Sequence, residues 1–335
     1  MPVSDARESP TVSVLICTKD RREDVARALA SLRADGVERE GVEIVVVEET
    51  AQPRPIAGVR YVPLPPEGRG FAHVRNRAVD AAKGSLLVFV DDDCEVERGW
   101  LDALLAPLAD PAVVGVAGAV LVRDCNAIGY AENILGFPGG GLRYLAAAGG
   151  RVVPTTFLST CNCVYRRTAI EAVGGFSSRG SFGGEDSLLA ERVSARWPCR
   201  YAPAAVVYHR PRQRLGAIFR WFFRRGRAEL RILPGKPRPA AEVGALVRGS
   251  TLLRVAALAL VAAALPWPAW GTIPAVLAGY YALLLRRFAF ARHHPSHRAG
   301  WWLAPLVKVV ADAGAEAGRL REMPAALRSR RAGDA

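Results

Sequence analysis

Residues 86–96 read LLVFVDDDCEV. Five apolar residues run straight into Asp91, Asp92 and Asp93. A buried strand that ends on three like charges is costly unless something positive meets them. In open α/β sheets, ligands sit at the carboxyl ends of the strands, so these aspartates mark a candidate binding edge. The flanking sequence supplies the sheet. Residues 12–17 (VSVLIC), 43–47 (EIVVV) and 59–62 read as further strands, with helices over 22–32 and 71–82. Phe71, Val74, Ala78 and Ala82 are expected on the inward face of the second helix. Val- and Leu-rich strands alternating with helices predict an α/β fold, a mostly parallel sheet with helices on both faces. Thr18 and Glu48 end two of the other strands and fall on the same edge as the aspartates.

From residue 100 the pattern loosens. A helix over 100–108, an apolar stretch over 113–122, a strand over 163–166 and a short helix over 169–173 ended by Gly174-Gly175 are expected. A helix over 187–196 follows, and glycine-rich loops at 139–141 and 180–184 have the composition of substrate-covering loops or of plain connectors. Residues 210–231 then hold eight arginines and one glutamate. Leu215, Ile218, Phe219 and Phe222 share one helical face, with Arg220, Arg224, Arg227 and Arg231 opposite. Such a stripe suits the headgroup layer of a membrane or a docked helix with a solvated basic side.

After the linker PGKPRP (234–239), residues 255–285 carry no formal charge, but Pro266, Pro268 and Pro274 interrupt them. One span needs about 20 apolar residues. Arginines flank both ends, which favours a short or re-entrant helical hairpin with Trp267 and Trp270 at its turn. A single tilted span and a soluble hairpin are the alternatives. Residues 301–321 are expected to form a further interfacial helix. The organisation is thus a flexible N-terminus 1–10, a domain over 11–235 in two halves, 11–95 and 96–235, and a helical, membrane-associated segment 236–335.

The 335-residue chain has a formal charge of +13 and 50% hydrophobic residues, enough for a large core. The basic excess lies after about residue 200, which points to an anionic membrane surface rather than nucleic acid: the aromatics fall on the apolar side of the helix and do not form a stacking platform. The opening MPVSDARESP is polar, so a cleavable signal is not expected. The six cysteines follow no zinc spacing, and Cys161 and Cys163 read as small packing residues.

Three constellations carry chemistry. Carboxylates two apart, as in Asp91-Asp92-Asp93, can share a hard cation and leave sites for phosphate oxygens. GSFGGEDSLLAERV (180–193) places Glu185 and Asp186 at a helix start behind glycines, where they either cap the helix or serve as a general base. His209 follows the apolar residues 204–207 and reads as structural or as a ligand.

In order along the chain, VLICTKDR (14–21), EIVVVEET (43–50), GFAHVRNRAVDAA (70–82), the aspartates 91–93, CVYRRTAIEAVGGF (163–176) and Glu185-Asp186 resemble the family 2 glycosyltransferases. Cys17, Ala78 and Glu48 stand where that family has proline, glycine and aspartate. The resemblance implies a GT-A fold and an inverting transfer from a nucleoside-diphosphate-sugar with Mg²⁺ or Mn²⁺ as cofactor. It implies donor contacts from Thr18, Glu48, Arg75, Asp91 and Asp92, and metal ligation by Asp93 with Asp91 and His209. Asp186 would be the base, with Glu185 as its substitute. Together with the tail, this predicts sugar transfer to a hydroxyl of a lipid-linked or cell-surface glycan at the cytoplasmic membrane face. A soluble small-molecule or modified-peptide acceptor, and a non-catalytic basic membrane- or nucleic-acid-binding protein, are the other readings.

Overall fold

The computed structural model describes residues 11–177, 183–233, 239–264, 266 and 271–333. The N-terminus 1–10, the Gly180–Phe182 part of the glycine loop, the linker residues 234–238, and Trp267, Pro268 and Trp270 of the expected turn lie outside them. The contacts divide the chain into two units.

The first unit comprises Met1–Leu121, Tyr144–Ser181 and Glu185–Arg210 and is built on one sheet. Its elements in order are β1 (Val12–Thr18), α1 (Arg22–Ala34), β2 (Val42–Glu49), β3 (Arg60–Leu64), α2 (Phe71–Ala81), β4 (Leu86–Val90), β5 (Cys94–Val96) and α3 (Trp100–Leu105). After β6 (Gly115–Leu121), the chain passes through α4 (Ala127–Ile134), which belongs to the second unit, and α5 (Gly141–Ala148) before β7 (Val153–Pro154) and β8 (Asn162–Arg166). Then come α6 (Arg167–Ala172), α7 (Glu185–Ser194) and β9 (Cys199–His209). The strand order is β3-β2-β1-β4-β8-β6-β9-β5, with β7 added beside β9.

The expected parallel half is present: β3, β2, β1 and β4 all run the same way. Beyond β4 the sheet is mixed. β8 lies antiparallel to both β4 and β6, while β6 and β9 are parallel. The apolar runs arise because both faces are covered. Leu15, Val45, Val47, Leu87 and Phe89 pack on one side with Val74 and Ala78 of α2 and Ile170 of α6. Val14, Ile16, Val46, Val88 and Val90 pack on the other with Val25, Leu29 and Leu32 of α1 and Trp100 of α3. The alternation is that of a strand, with period two. Phe71 does not face inward as expected. It is 53% exposed, and the Arg75 guanidinium lies 5.5 Å from its ring centroid. It opens the first turn of α2, before the helix has rotated onto the sheet.

The second unit comprises Val122–Arg143, Phe182–Gly184 and Pro211–Ala335. Its long elements are α8 (Leu215–Ile232), α9 (Pro239–Gly249), α10 (Thr251–Ala264), α11 (Thr272–Arg287), α12 (Arg298–Trp301) and α13 (Ala304–Gly333). α8 and α13 pack with their backbones almost touching: a Cβ at Gly226 would overlap the Ala315 carbonyl, and one at Gly318 the Phe223 carbonyl. Ile218 and Phe222 are buried in α8 as the stripe predicts, but Phe219 is 37% exposed. Glu322 accepts from Arg227 at 2.8 Å and from Arg231 at 2.5 Å, so half of the expected basic face is paired within the protein. Arg220 and Arg224 remain exposed.

α10 and α11 are two helices within the stretch expected to form a hairpin, whose turn lies outside the described residues. At 14 and 16 residues they are about 21 and 24 Å long, short of the roughly 30 Å hydrocarbon core of a bilayer. No helix among the described residues is long and apolar enough to cross a membrane, so the alternative of a single tilted span is not found.

Candidate active site

The sheet order explains why distant residues converge. β1, β2 and β4 are parallel, so Thr18, Glu48 and Asp91 leave the sheet at one edge. β8 runs the opposite way, and its first residue Asn162 pairs with Val90. The segment that precedes β8, Ser159-Thr160-Cys161, therefore arrives at the edge where β4 ends. β9 brings a third approach: His209 pairs with Cys94, next to Asp93. The Arg210 amide also donates to the Asp93 carbonyl at 2.9 Å, fixing this corner.

Two arginines answer the like charges of the aspartates. Arg21 donates to Asp92 Oδ1 at 3.2 Å and to Asp93 Oδ2 at 3.1 Å. Arg75 lies 3.4 Å from Asp91 and forms a buried ion pair with Glu185. Asp92 also accepts from Thr18 Oγ1 at 2.6 Å. Burial still raises the Asp92 carboxyl to about 6, and Asp93 and Asp91 add to the rise against Thr18 and Arg21. For Arg75, burial works against the charge, but Asp91 and Asp186 outweigh it and hold the guanidinium above its usual range. Cys17, beside them, is kept a thiol: burial pushes it up to about 12.

The two acids at the start of α7 have different surroundings. Glu185 is 2% exposed, committed to Arg75 through one oxygen, while its Oε2 has no hydrogen-bond partner. Asp186 is more open; among the described residues its Oδ2 meets the Ser159 hydroxyl at 3.4 Å, and its Oδ1 accepts from the Ser187 amide at 2.7 Å. Of the two acids, Asp186 is therefore the more exposed. Glu48, 1% exposed, accepts from Arg22 at 2.6 Å and Tyr61 at 2.7 Å.

The residues near Asp91 and Asp93 form a set that could hold a cation. Donor atoms of Asp91, Cys161 and His209 lie within 4.8 Å of one another, and so do those of Asp93, Cys94 and His209. His209 Nδ1 is 2.7 Å from the Arg210 carbonyl oxygen, so that nitrogen donates and Nε2, 3.2 Å from Asp93 Oδ1, is left facing the carboxylate. Each set joins one carboxylate and a cysteine sulfur to the His209 imidazole, Asp91 and Asp93 falling in different sets, and either carboxylate with the imidazole suits a divalent ion such as Mn²⁺.

Thr18, Arg75, Asp91, Asp92, Asp93, Glu185, Asp186 and His209 are thus linked along one edge, and Glu48 ends the strand beside Thr18 with its own pair of donors. Sequence reasoning missed Arg21, Arg22, Tyr61 and Ser159. It read Cys161 as packing, whereas its thiol donates to Asp91 Oδ2 at 2.9 Å. Arg21 had a local signal, since a cation two or three residues past a strand end reaches the same edge.

Residues 13–174 match the family model described as glycosyl transferase family 2. This stretch belongs to that family. The matched segment runs from β1 through α6, and so holds Thr18, Glu48, Arg75 and Asp91–Asp93. Among its relatives, the pre-mycofactocin glycosyltransferase of Mycobacterium tuberculosis is 27% identical over 214 residues, 61% of this chain. The chain spans only 43% of that protein's length. The succinoglycan biosynthesis protein ExoM of Rhizobium meliloti is 28% identical over 255 residues, 68% of this chain and 77% of that protein. Among solved structures, the mannosyltransferase PcManGT of Pyrobaculum calidifontis, in complex with GDP-Man and Mn²⁺, has a TM-score of 0.65 at 22% identity. The match covers 94% of this chain and 88% of that one, and it shows that the two share a GT-A-like α/β fold.

Proposed function

We propose that this protein is a divalent-metal-dependent, inverting glycosyltransferase. It takes a sugar from a nucleoside diphosphate and adds it to a hydroxyl of a lipid-linked or cell-surface glycan at the cytoplasmic membrane face. The observation that carries the reading is the single edge at which Glu48, Arg75, Asp91–Asp93, Asp186 and His209 meet. Family membership, and the GDP-Man and Mn²⁺ held by the mannosyltransferase of like fold, support it.

Asp93, Asp91 and His209 would hold the metal, which when bound offsets the charge of the leaving diphosphate as a Lewis acid. The chain's own groups do the rest. Glu48, fixed by Arg22 and Tyr61, offers a carboxylate to the nucleoside. Thr18 and Arg21 hold Asp92 in place. Arg75 anchors Glu185, and with it the first turn of α7, so that Asp186 faces the acceptor. The acceptor oxygen attacks the anomeric carbon and passes its proton to Asp186. The bond from that carbon to the diphosphate oxygen breaks, and the diphosphate leaves with the electron pair. A single displacement inverts the configuration.

The lipid-linked acceptor rests on α10 and α11, where Leu260, Val261, Leu277 and Leu283 are 57–74% exposed. An apolar surface of this kind on an otherwise charged protein fits a membrane or an amphiphile. A second reading, transfer to a small soluble acceptor, is favoured by the relative whose name gives pre-mycofactocin. Transfer by the full chain from a panel of nucleotide-sugars with Mn²⁺, in water and with membrane vesicles, separates the two. Asp93→Ala and Asp186→Asn should each lower turnover by about a hundredfold or more. Unchanged turnover in both variants overturns the assignment.

A further inference from the structure

The second unit contains a cleft of about 530 Å³ lined by Arg254, Tyr280, Leu283, Leu284, Arg286, Arg287 and Lys308. Four cations from α10, α11 and α13 thus line one cleft, and the charge is hardly compensated. Lys308 pairs with Asp312 at 2.7 Å, and Arg254 donates to the Arg248 carbonyl at 3.0 Å. Arg254, Arg286 and Arg287 have exposed side chains with no acidic partner among the described residues. Cations gathered in one cleft repel one another, and a bound anion would relieve that repulsion. The cleft is also rigidly framed. Trp301 Nε1 donates to the Leu285 carbonyl at 3.0 Å, Tyr281 bonds to the Trp302 carbonyl, and Ser250 bonds to Glu316 at 3.1 Å.

The wall is as informative as the charge. Leu283 is 62% exposed, and on the same two helices Leu253, Leu258, Leu260, Val276 and Leu277 are 46–74% exposed. Arginines at the root of an apolar helical pair match a ligand that is anionic at its head and apolar behind it. A free sugar phosphate would satisfy the arginines and leave the leucines in water.

We propose that this cleft binds the phosphate headgroup of an anionic membrane phospholipid, with α10 and α11 lying among the acyl chains as an interfacial pair. The inference rests on the membrane reading above and goes further, by naming the site and the headgroup chemistry. Arginine suits it because the planar guanidinium binds phosphate oxygens in pairs. The site would tether the protein where a lipid-borne acceptor is presented, without any segment spanning the bilayer.

The test is flotation of the full chain with vesicles of phosphatidylcholine alone or with 30 mol% (about one lipid in three) phosphatidic acid, at low and high salt. A triple and a double variant are compared: Arg254→Gln/Arg286→Gln/Arg287→Gln, and Arg220→Gln/Arg224→Gln on the exposed face of α8. All five side chains are exposed, so folding should survive, which circular dichroism checks. Each arginine near an anionic surface contributes about fivefold to binding, so the triple variant should bind phosphatidic acid vesicles roughly a hundredfold more weakly. The α8 variant should lose much less. Glycerol 3-phosphate at millimolar concentration should compete only weakly. Wild-type binding to anionic vesicles that survives in the triple variant overturns the cleft and leaves the membrane reading standing. Equal losses in both variants also overturn it, in favour of diffuse attraction. Tight binding of glycerol 3-phosphate with no vesicle binding overturns the lipid as ligand. No vesicle binding and no glycerol 3-phosphate binding sinks the cleft and the membrane reading together.

Discussion

Arg75→Met tests how the edge is held together. Arg75 and Glu185 have side chains only 10% and 3% exposed, and Asp91, the second partner, is 28% exposed. Removing the guanidinium strands Glu185 without a counter-charge, in a place where its Oε2 already lacks a hydrogen bond. Breaking one side of a buried ion pair costs about 3–5 kcal/mol, because the remaining charge must stay desolvated or take up a proton. In a chain of 335 residues that corresponds to a fall in melting temperature of roughly 4–7 °C. The double variant Arg75→Met/Glu185→Leu removes both charges and should recover most of the loss, since apolar replacements for a buried pair are close to neutral. Urea denaturation followed by tryptophan fluorescence, run as a double-mutant cycle, gives the coupling energy directly. Asp91 still lacks its cation in the double variant, so donor binding should stay weak even where stability returns. A single variant that loses less than about 1 kcal/mol, or a double variant no better than the single, would refute the view that Glu185 is held by charge.

His297 is fully buried, with Nε2 2.9 Å from Asn133 Oδ1, and burial followed by His294 lowers its pKa from the usual 6.5 to about 3. Folding therefore keeps it neutral while the unfolded chain takes up a proton below 6.5, so the second unit should lose up to about 5 kcal/mol as pH falls from 6.5 through 3, measured by urea midpoints at stepped pH. His297→Gln should flatten that slope, and an unchanged slope counts against the assignment. Gly318→Val should separate α8 from α13 and cost at least about 2 kcal/mol, because the obstructing atom is the Phe223 backbone carbonyl, which cannot rotate away. Tyr61→Phe should raise the donor KM several-fold at nearly constant kcat, since it loosens Glu48, which is proposed to bind the donor and takes no part in the bond changes.

The parallel half of the sheet was legible because strands buried on both faces write themselves as unbroken apolar runs. The acidic end of β4 was legible for the same reason, as charge follows the run without a gap. The antiparallel β8 was visible as a strand, but its direction was not, since a short run reads the same either way. With the direction hidden, nothing could place Ser159 and Cys161 beside Asp91, some seventy residues away in the chain. Arg22, Tyr61 and Glu48 met the same obstacle: their contacts follow from the pairing of β1 with β2 and of β2 with β3. α4 escaped notice among glycines, although Asn126 caps it by accepting from the Ile128 and Gly129 amides. The stripe on α8 was read correctly as amphipathic. What covers it was not readable, because a protein helix and a lipid layer call for the same residues, and the Glu322 that pairs with Arg227 lies far along the chain.

The register of β9 carries one more consequence. Gly118 pairs with Ala202 but Ala119 with Val206, so β9 holds three more residues than β6 across that step. The buried Asn162 amide spans the gap, donating to the Ala119 and Ala205 carbonyls and accepting from the Trp100 indole. Because three is odd, the irregularity reverses which side of the sheet each later residue of β9 points to. A lineage that dropped a single residue from 203–205 and kept the lower pairing would bring Arg210 up to the place of His209, exchanging an imidazole for a guanidinium opposite Asp93. The length of that small detour, and not only the identity of the histidine, decides which chemistry the carboxylates face.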